Sequence, residues 1–248
     1  MSYIDLNCDM GEMPGDAGLE LDAALMPYIS STNIACGYHA GDEQHMSHTT
    51  QLAIEHKVAI GAHPGFADRE GFGRFELELS PGQVYQLMLY QLGALEGIVR
   101  GFKSRINHVK PHGALYNMAT RDRHFAEAIA DAVFDFDPSL YLYGLPQSQM
   151  ELAAKAKGLR FVREGFADRR YLDDGMLMPR SQENALITDV EEVVSQAINL
   201  IKQGKIDSLC VHGDDKNALQ FLKNLHQAFA DNKIEIRSIK GSDQLSKT

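Results

Sequence analysis

The sequence is short of cysteine, and the spacing of its few cysteines excludes two structural uses of this residue. Cys8, Cys36 and Cys210 are the three cysteines of the 248-residue chain. Because their number is odd and no Cys-x-x-Cys pair occurs, neither a disulfide framework nor a zinc ribbon is indicated. Each cysteine lies in an apolar, strand-like run, where a reduced thiol behaves as a small hydrophobic side chain.

Three further features are absent: a long apolar run, a leader-like beginning and an excess of basic charge. No apolar run approaches the length that crosses a membrane, and residues 1–5 lack the basic and apolar regions of a signal peptide. The 34 acidic residues outnumber the 24 basic ones, which gives a formal net charge of -10. A surface of this sign repels nucleic acid and anionic membranes. We therefore expect a cytoplasmic protein with no nucleic-acid or membrane partner.

The chain also lacks linkers, internal repeats and low-complexity tracts. No Pro/Gly/Ser-rich stretch and no change of composition divides it, which predicts a single domain over residues 1–248. Residues 242–248 are expected to form a frayed tail.

Short strand-like runs alternate with longer helical runs. Strands are predicted at residues 3–8, 32–36, 58–62, 106–109, 140–143, 160–163, 208–211 and 234–236. Helices are predicted at residues 44–56, from Ser80 onward, and at residues 121–134, 147–157, 188–204 and 217–230. The predicted helix-end signals are a Ser80/Gln83 capping box, Thr120, Gly158 and a Thr188/Glu191 capping box.

A strand followed by a helix, repeated along the chain, predicts a parallel sheet with helices packed outside it. A doubly wound open sheet is the alternative. The sequence has no Gly-x-Gly-x-x-Gly after its first strand and no Walker-type phosphate loop, which disfavours that alternative. We therefore predict an α/β fold with a closed or nearly closed (β/α) barrel of about seven parallel strands.

Polar side chains follow the predicted strands, where parallel α/β folds place their chemistry. Four histidines lie just past strands, together with carboxylates and a lysine. The polar residues at strand ends are Asn7, Asp9, Glu12, His39, His63, Lys110, His112, Glu164, Asp168, Arg169 and His212. Any one histidine in a loop commonly caps a helix, but several at equivalent positions indicate an active site.

Two kinds of chemistry fit these residues. Asp9 with His39 and His63 can ligate a divalent metal that activates water for hydrolysis. Alternatively, Lys110 and the histidines bind an anionic substrate, and Asp9 or Glu12 acts as general base. Asp9 can also simply close an Asx-turn.

Other polar residues are weaker candidates. His45 and His48 share a helix face, and we expect that face to be solvated rather than a ligand pair. Residues 71–74 (GFGR) resemble a substrate-covering loop, in which Arg74 supplies a contact. Four histidines are expected to be structural or surface residues: His56, His108, His124 and His226.

Six sequence blocks, in order along nearly the whole chain, together resemble the LamB/YcsF family. They are residues 5–12 (DLNCDMGE), 33–42 (NIACGYHAGD), 61–65 (GAHPG), 109–117 (VKPHGALYN), 164–169 (EGFADR) and 211–214 (VHGD). Members of that family are the A subunits of the prokaryotic ATP-dependent 5-oxoprolinase. The resemblance implies a (β/α) barrel related to the glycoside hydrolase/deacetylase superfamily.

The resemblance also implies an activity and partners: cleavage of 5-oxo-L-proline to L-glutamate with ATP hydrolysis, together with subunits B and C. Because the chain has no recognisable nucleotide loop, we expect ATP to bind with the partner subunits. The expected catalytic residues are Asp9, His39, His63, Lys110 and His112. The expected substrate-binding residues are Asn7, Glu12, Arg74, Arg169 and His212. A divalent metal on Asp9, His39 and His63 is left open.

Two rival functions are kept. The first is a metal-dependent deacetylase of an amino sugar, which the superfamily relationship suggests. The second is a non-catalytic subunit that binds the substrate for its partners. A strict ATP requirement would count against the deacetylase, and the density of ionisable residues at strand ends disfavours the non-catalytic subunit.

Overall fold

The computed structural model describes residues 2–214 and 216–239. Within these residues the strands are β1 (Ser2–Met10), β2 (Ser31–Ala35), β3 (Ala59–His63), β4 (His108–Val109), β5 (Tyr141–Gly144), β6 (Arg160–Phe166), β7 (Ser208–His212) and β8 (Ile234–Ile236). The helices are α1 (Gly15–Leu25), α2 (Glu43–His56), α3 (Pro81–Gly101), α4 (Gly113–Arg121), α5 (Arg123–Phe136), α6 (Gln149–Lys157), α7 (Val190–Lys202) and α8 (Ala218–Asp231). The tail expected at residues 242–248 lies outside the described residues.

The first seven strands form a closed parallel barrel. They follow one another in chain order around the barrel, and β7 and β2 both pair with β1, which closes it. The short β8 pairs in parallel with the start of β1. The predicted (β/α) barrel of seven parallel strands is therefore confirmed, with β8 as an addition outside the closed ring.

The side chains of β1 divide by position between the two faces of the barrel wall. Ile4, Leu6, Cys8 and Met10 belong to the apolar core that lies between the strands and the helices. The alternate positions, Asp5, Asn7 and Asp9, are buried and polar, and they contact residues of other strands across the barrel interior. Because successive strand residues point to opposite faces, this alternation fills the barrel with polar groups.

Two predicted helix starts are wrong, and two helices were not predicted. The helix expected at residues 121–134 begins after Asp122, whose carboxylate accepts from the backbone of the first turn of α5, so Thr120 is not its cap. Asp189, not Thr188, caps α7 and accepts from the backbone N–H of Glu192. The unpredicted helices are α1 and α4, which both begin among glycines and prolines that resemble loop sequence.

Other helix-end signals are confirmed. Ser80 and Gln83 form the predicted capping box of α3. Gly158 ends α6 with a left-handed backbone at φ 82°, a conformation that favours glycine. Among the described residues, no helix combines the length and apolar character needed to span a membrane.

Candidate active site

The floor of the barrel interior is a buried carboxyl group surrounded by hydroxyls. Asp5 accepts hydrogen bonds from Ser30 (2.7 Å), Ser31 (2.6 Å), Ser208 (2.5 Å) and Tyr143 (3.0 Å). Burial raises the pKa of Asp5, although the hydroxyl hydrogen bonds oppose that rise. These bonds join residues of four strands and one connecting loop below the site.

The next layer consists of amides and an imidazole. The amide of Asn33 donates both to Asn7 Oδ1 (2.8 Å) and to Asp9 Oδ1 (2.8 Å). His108 Nε2 donates to Asn33 Oδ1 at 2.8 Å, and its ring stacks on Tyr143. Burial and the nearby lysine charge lower the pKa of His108 to about 3, so the ring is neutral. His108 is structural, as predicted, but through Asn33 it orients Asp9.

Lys110 is a buried cation that joins three strands of the barrel. Its Nζ lies 2.8 Å from Asp9 Oδ1, 2.9 Å from Glu164 Oε1 and 3.0 Å from Cys210 Sγ. Burial would lower the pKa of Lys110, but the carboxylates of Asp9 and Glu164 hold it well above its usual value. The ammonium therefore stays charged, and it offsets the charge of two buried carboxylates.

The two carboxylate oxygens of Asp9 have different surroundings. Oδ1 accepts from Lys110 and Asn33, whereas Oδ2 faces His63 Nε2 at 3.4 Å. Burial alone would raise the pKa of Asp9, but the charges of His63 and Lys110 outweigh burial and hold it well below its usual range. Asp9 is thus ionised at neutral pH, with Oδ2 at the cavity.

Three imidazoles surround the carboxylate of Glu12 at the rim. Oε1 of Glu12 lies 3.2 Å from His39 Nε2, 3.2 Å from His112 Nδ1 and 3.7 Å from His63 Nε2. Burial would raise the pKa of Glu12, but the hydrogen bonds of His112 and His39 lower it well below the usual value. Burial lowers the pKa of His39 to about 3 and also lowers that of His112.

Two of these rings are oriented by backbone carbonyls. His63 Nδ1 donates to the carbonyl of Lys110 at 2.7 Å, and His112 Nε2 donates to the carbonyl of Phe72 at 2.8 Å. Burial would lower the pKa of His63, but the charge of Asp9 raises it. The carbonyl of Phe72 comes from the loop predicted to cover the substrate, and that loop packs directly on His112 and His39 through Gly73.

A cavity of about 480 Å³ opens above Asp9, within the size range of small-molecule sites. Three arginines line it: Arg74, Arg169 and Arg180. Arg169 is buried, and one guanidinium nitrogen donates to the carbonyl of Met178 at 2.6 Å. Burial and the charge of Arg180 lower the pKa of Arg169 to about 10. The cavity is therefore built to attract an anion.

His212 lines the same cavity from the end of β7. Its backbone N–H donates to Asp168 Oδ2 at 3.0 Å, and its Nδ1 lies 2.9 Å from the same carboxylate. Burial would raise the pKa of Asp168, but the charge of His212 lowers it. Asp168 thus fixes the His212 ring.

The structure brings most of the predicted site residues together. Asp9, His63, Lys110, His112, His212, Arg74 and Arg169 line the cavity. Glu12 and His39 lie behind His63 and His112, and Asn7 lies below Asp9. Arg180 was missed, although it lies in the long connection between β6 and α7, and connections of that length commonly cover active sites.

The prediction of a solvated face on α2 is wrong for one of its two histidines. His45 is buried, and its Nδ1 lies 2.7 Å from Asp42 Oδ1, the carboxylate that caps α2. The imidazole therefore belongs to the helix start. His48 on the same face is half-buried.

Comparison with known proteins finds relatives that cover nearly the whole chain. Over residues 4–244 the sequence matches the LamB/YcsF family. It is 46% identical to the 5-oxoprolinase A subunit of Staphylococcus aureus (strain JH9), with 95% of this chain and 99% of that protein covered. The structure of the lactam utilization protein from Thermus thermophilus is 42% identical with a TM-score of 0.88, covering 96% of this chain and 100% of that one.

A more distant likeness concerns the fold alone. The family 4 carbohydrate esterase from Streptomyces lividans has a TM-score of 0.56 at 13% identity, with 96% of this chain and 93% of that chain covered. The barrel fold is thus shared with a carbohydrate esterase. Because the family match spans nearly the whole chain and is supported by relatives of 46% identity, the chain belongs to the LamB/YcsF family.

Proposed function

We propose that this chain is the A subunit of an ATP-dependent 5-oxoprolinase, which opens 5-oxo-L-proline to L-glutamate. The observation that carries the proposal is the 46% identity, over almost the full length of both chains, to a protein of that name. The cavity supports it, because arginines beside a carboxylate and histidines suit a small anionic substrate that is to be hydrolysed.

The substrate carboxylate pairs with the arginines of the cavity. The charge of Arg180 disfavours that of Arg169, and Arg169 is largely removed from water. A bound carboxylate relieves this repulsion and accepts charge-assisted hydrogen bonds from a guanidinium. Arg74 is already paired with Asp214 at 2.5 Å, so it contributes less charge to the substrate than Arg169.

The lactam carbonyl then lies toward Asp9. Oδ2 accepts a hydrogen bond from a water molecule and orients it toward the carbonyl carbon, while Lys110 and Asn33 hold Oδ1. Since the pKa of Asp9 is low, the carboxylate is always available as an acceptor. His212, held by Asp168, lies beside Asp9 at the end of the neighbouring strand β7 and contacts the substrate there.

ATP has a chemical reason in this scheme. An unstrained lactam is a poor electrophile, and transfer of the γ-phosphoryl group to the carbonyl oxygen turns that oxygen into a leaving group. Water then adds to the carbon, and the ring C–N bond breaks as its nitrogen takes up a proton, which leaves the γ-acyl phosphate of glutamate. A second water molecule hydrolyses this acyl phosphate to the carboxylate and releases inorganic phosphate. The chain has no phosphate-binding glycine loop. We therefore assign ATP binding to a complex with subunits B and C.

The test is glutamate release from 5-oxo-L-proline by the purified chain, with and without ATP and with and without subunits B and C. We expect glutamate only when ATP and all three subunits are present. Glutamate formation without ATP would overturn the proposal. Acetate release from an N-acetylated amino sugar in the absence of ATP would establish the deacetylase alternative instead.

The role of Asp9 has its own test. Asp9→Asn should abolish glutamate release while the complex still assembles on size-exclusion chromatography, because the amide lacks the charge that orients water. Asp16→Asn, the same change at an exposed position of α1, should leave activity unchanged. Full activity of Asp9→Asn would refute the assigned role and would favour a chain that only binds substrate for its partners.

A further inference from the structure

Glu12, His39, His63 and His112 form a buried cluster whose donor atoms all lie within 4.8 Å of one another. One oxygen of Glu12 is the common neighbour of the three imidazoles. The expected ligand set was Asp9, His39 and His63. Asp9 is not a member of this cluster; Lys110 and Asn33 hold its Oδ1, and its Oδ2 faces His63 at 3.4 Å.

The hydrogen bonds of His63 and His112 decide where their ring protons lie. A backbone carbonyl only accepts hydrogen bonds, so Nδ1 of His63 and Nε2 of His112 must each carry a proton. In the neutral rings the other two nitrogens, His63 Nε2 and His112 Nδ1, are then both acceptors. They nevertheless face each other at 2.9 Å. Two facing lone pairs at this distance repel unless a proton or a metal ion lies between them.

The spacing of the donors suits a metal ion. With metal–nitrogen bonds of about 2.05 Å, the donors of a tetrahedral site lie roughly 3.3 Å apart. The distances here are 2.9 Å between His63 and His112, 3.2 Å from Glu12 to His39 and to His112, and 3.7 Å from Glu12 to His63. They scatter around that value.

The outer nitrogens of two rings also match a metal site. Histidine ligands typically donate their second ring N–H to a carbonyl or carboxylate, which fixes the ring and the tautomer. His63 and His112 do so. His39 differs, because its Nδ1 is buried without a hydrogen-bond partner among the described residues. Its ring also stacks face to face on His112, with centroids 3.8 Å apart and an interplanar angle of 2°, so one ion cannot lie in the planes of both rings.

We infer that Glu12, His63 and His112 form a binding site for a divalent transition-metal ion of the Zn²⁺ class, with His39 packed beside it. Imidazole donors with one carboxylate suit zinc rather than magnesium or calcium, which prefer oxygen. His63 and His112 line the substrate cavity, so the ion lies at its wall. A metal ion there supplies a Lewis acid beside the substrate carbonyl. The binding site itself does not depend on which reaction the chain catalyses.

The test is Zn²⁺ binding to the metal-stripped chain, measured by calorimetry and by metal analysis after dialysis. We expect about one Zn²⁺ per chain, with Mg²⁺ failing to compete at about a hundredfold excess. Glu12→Gln, His63→Ala and His112→Ala should each weaken binding by about tenfold or more, and His39→Ala by less. Thermal unfolding of each variant shows that it is folded.

Two controls separate this site from alternative metal sites on the chain. His124→Ala removes an exposed imidazole and should not change binding. A second group, Asp9 with Cys210 and His212, also brings three donors together. His212→Ala should therefore leave Zn²⁺ binding intact, and loss of binding in that variant would overturn the assignment.

Cobalt substitution of the unmodified chain gives a readout that needs no variant. Co²⁺ bound by nitrogen and oxygen in four-coordinate geometry shows visible ligand-field absorption without a thiolate charge-transfer band. A thiolate band would place the metal at Cys210 and refute the assignment, and failure to bind Zn²⁺ stoichiometrically would overturn the inference outright. Neither result bears on ATP-dependent glutamate release, so the two proposals fail separately.

Discussion

Replacing Lys110 with methionine tests whether the buried ammonium holds the interior of the barrel together. The substitution keeps the length of the side chain but leaves Asp9 and Glu164 as buried carboxylates without their counter-ion at 2.8 and 2.9 Å. Removing one partner of a buried ion pair typically costs about 3–5 kcal/mol. For a chain of this size, that loss lowers Tm by roughly 6–20 °C.

Lys157→Met is the matched control, because it makes the same chemical change in an exposed ion pair. Lys157 lies 2.6 Å from Asp131, with 34% and 48% of the two side chains exposed. Water screens this pair, so its removal should change stability far less than the loss of Lys110. Urea unfolding of both variants, followed by circular dichroism, gives the comparison. Equal losses of unfolding free energy in the two variants would refute the conclusion that Lys110 stabilises the barrel interior.

A double variant separates lost charge balance from lost packing. Lys110→Met/Glu164→Gln removes one of the two uncompensated carboxylates, so it should recover part of the stability that Lys110→Met loses. If the double variant has a lower free energy of unfolding than Lys110→Met, by as much as Glu164→Gln alone costs, the loss arises from packing rather than from charge.

Two further predictions concern backbone space and substrate charge. Gly61→Ala should lower the free energy of unfolding by about 2–3 kcal/mol, because the added Cβ would collide with the buried imidazole of His108 in β4. Gly97 is exposed in α3 with nothing near the position of a Cβ, so Gly97→Ala should raise the free energy of unfolding by about 0.5–1 kcal/mol. Urea unfolding curves in which the two Gly→Ala variants change stability alike would contradict both predictions. Arg169→Met should raise the KM for 5-oxo-L-proline about 10- to 100-fold, since a charge-assisted hydrogen bond is lost. An unchanged KM in steady-state kinetics would place the substrate carboxylate elsewhere.

Much of the fold followed from the sequence because strand–helix alternation is a local signal. Every predicted strand exists, with ends displaced by a few residues. The predicted strand at 160–163 in fact extends to Phe166, so Glu164 lies within β6 and points into the barrel toward Lys110 rather than following the strand. Strand ends depend on how neighbouring strands pair, and no local pattern contains that information.

The site was predicted less completely, because the hydrogen bonds and ion pairs that build it join different strands across the barrel. Asn33 and His108 orient Asp9, yet both lie within strands rather than after their carboxyl ends, so the rule that found the other residues passed over them. Glu12 was expected to bind substrate and instead lies among three imidazoles. The signal for the polar interior was present in β1, where Asp5 and Asn7 alternate with apolar residues, a pattern typical of a barrel wall with a hydrogen-bonded interior.

The polar interior explains why a buried carboxylate can serve as a site at all. An isolated ion at the position of Asp9 would take up a proton or draw in water. Here hydrogen bonds pair the buried polar groups in successive layers. Hydroxyl groups donate to Asp5 at the bottom of the barrel, and Asn33 and Lys110 donate to Oδ1 of Asp9 above it. The remaining oxygen is left ionised and directed at the cavity beside His63. The barrel core thus supplies the orientation that a flexible loop carboxylate would lack, and Lys110 contributes both to the stability of the core and to the site.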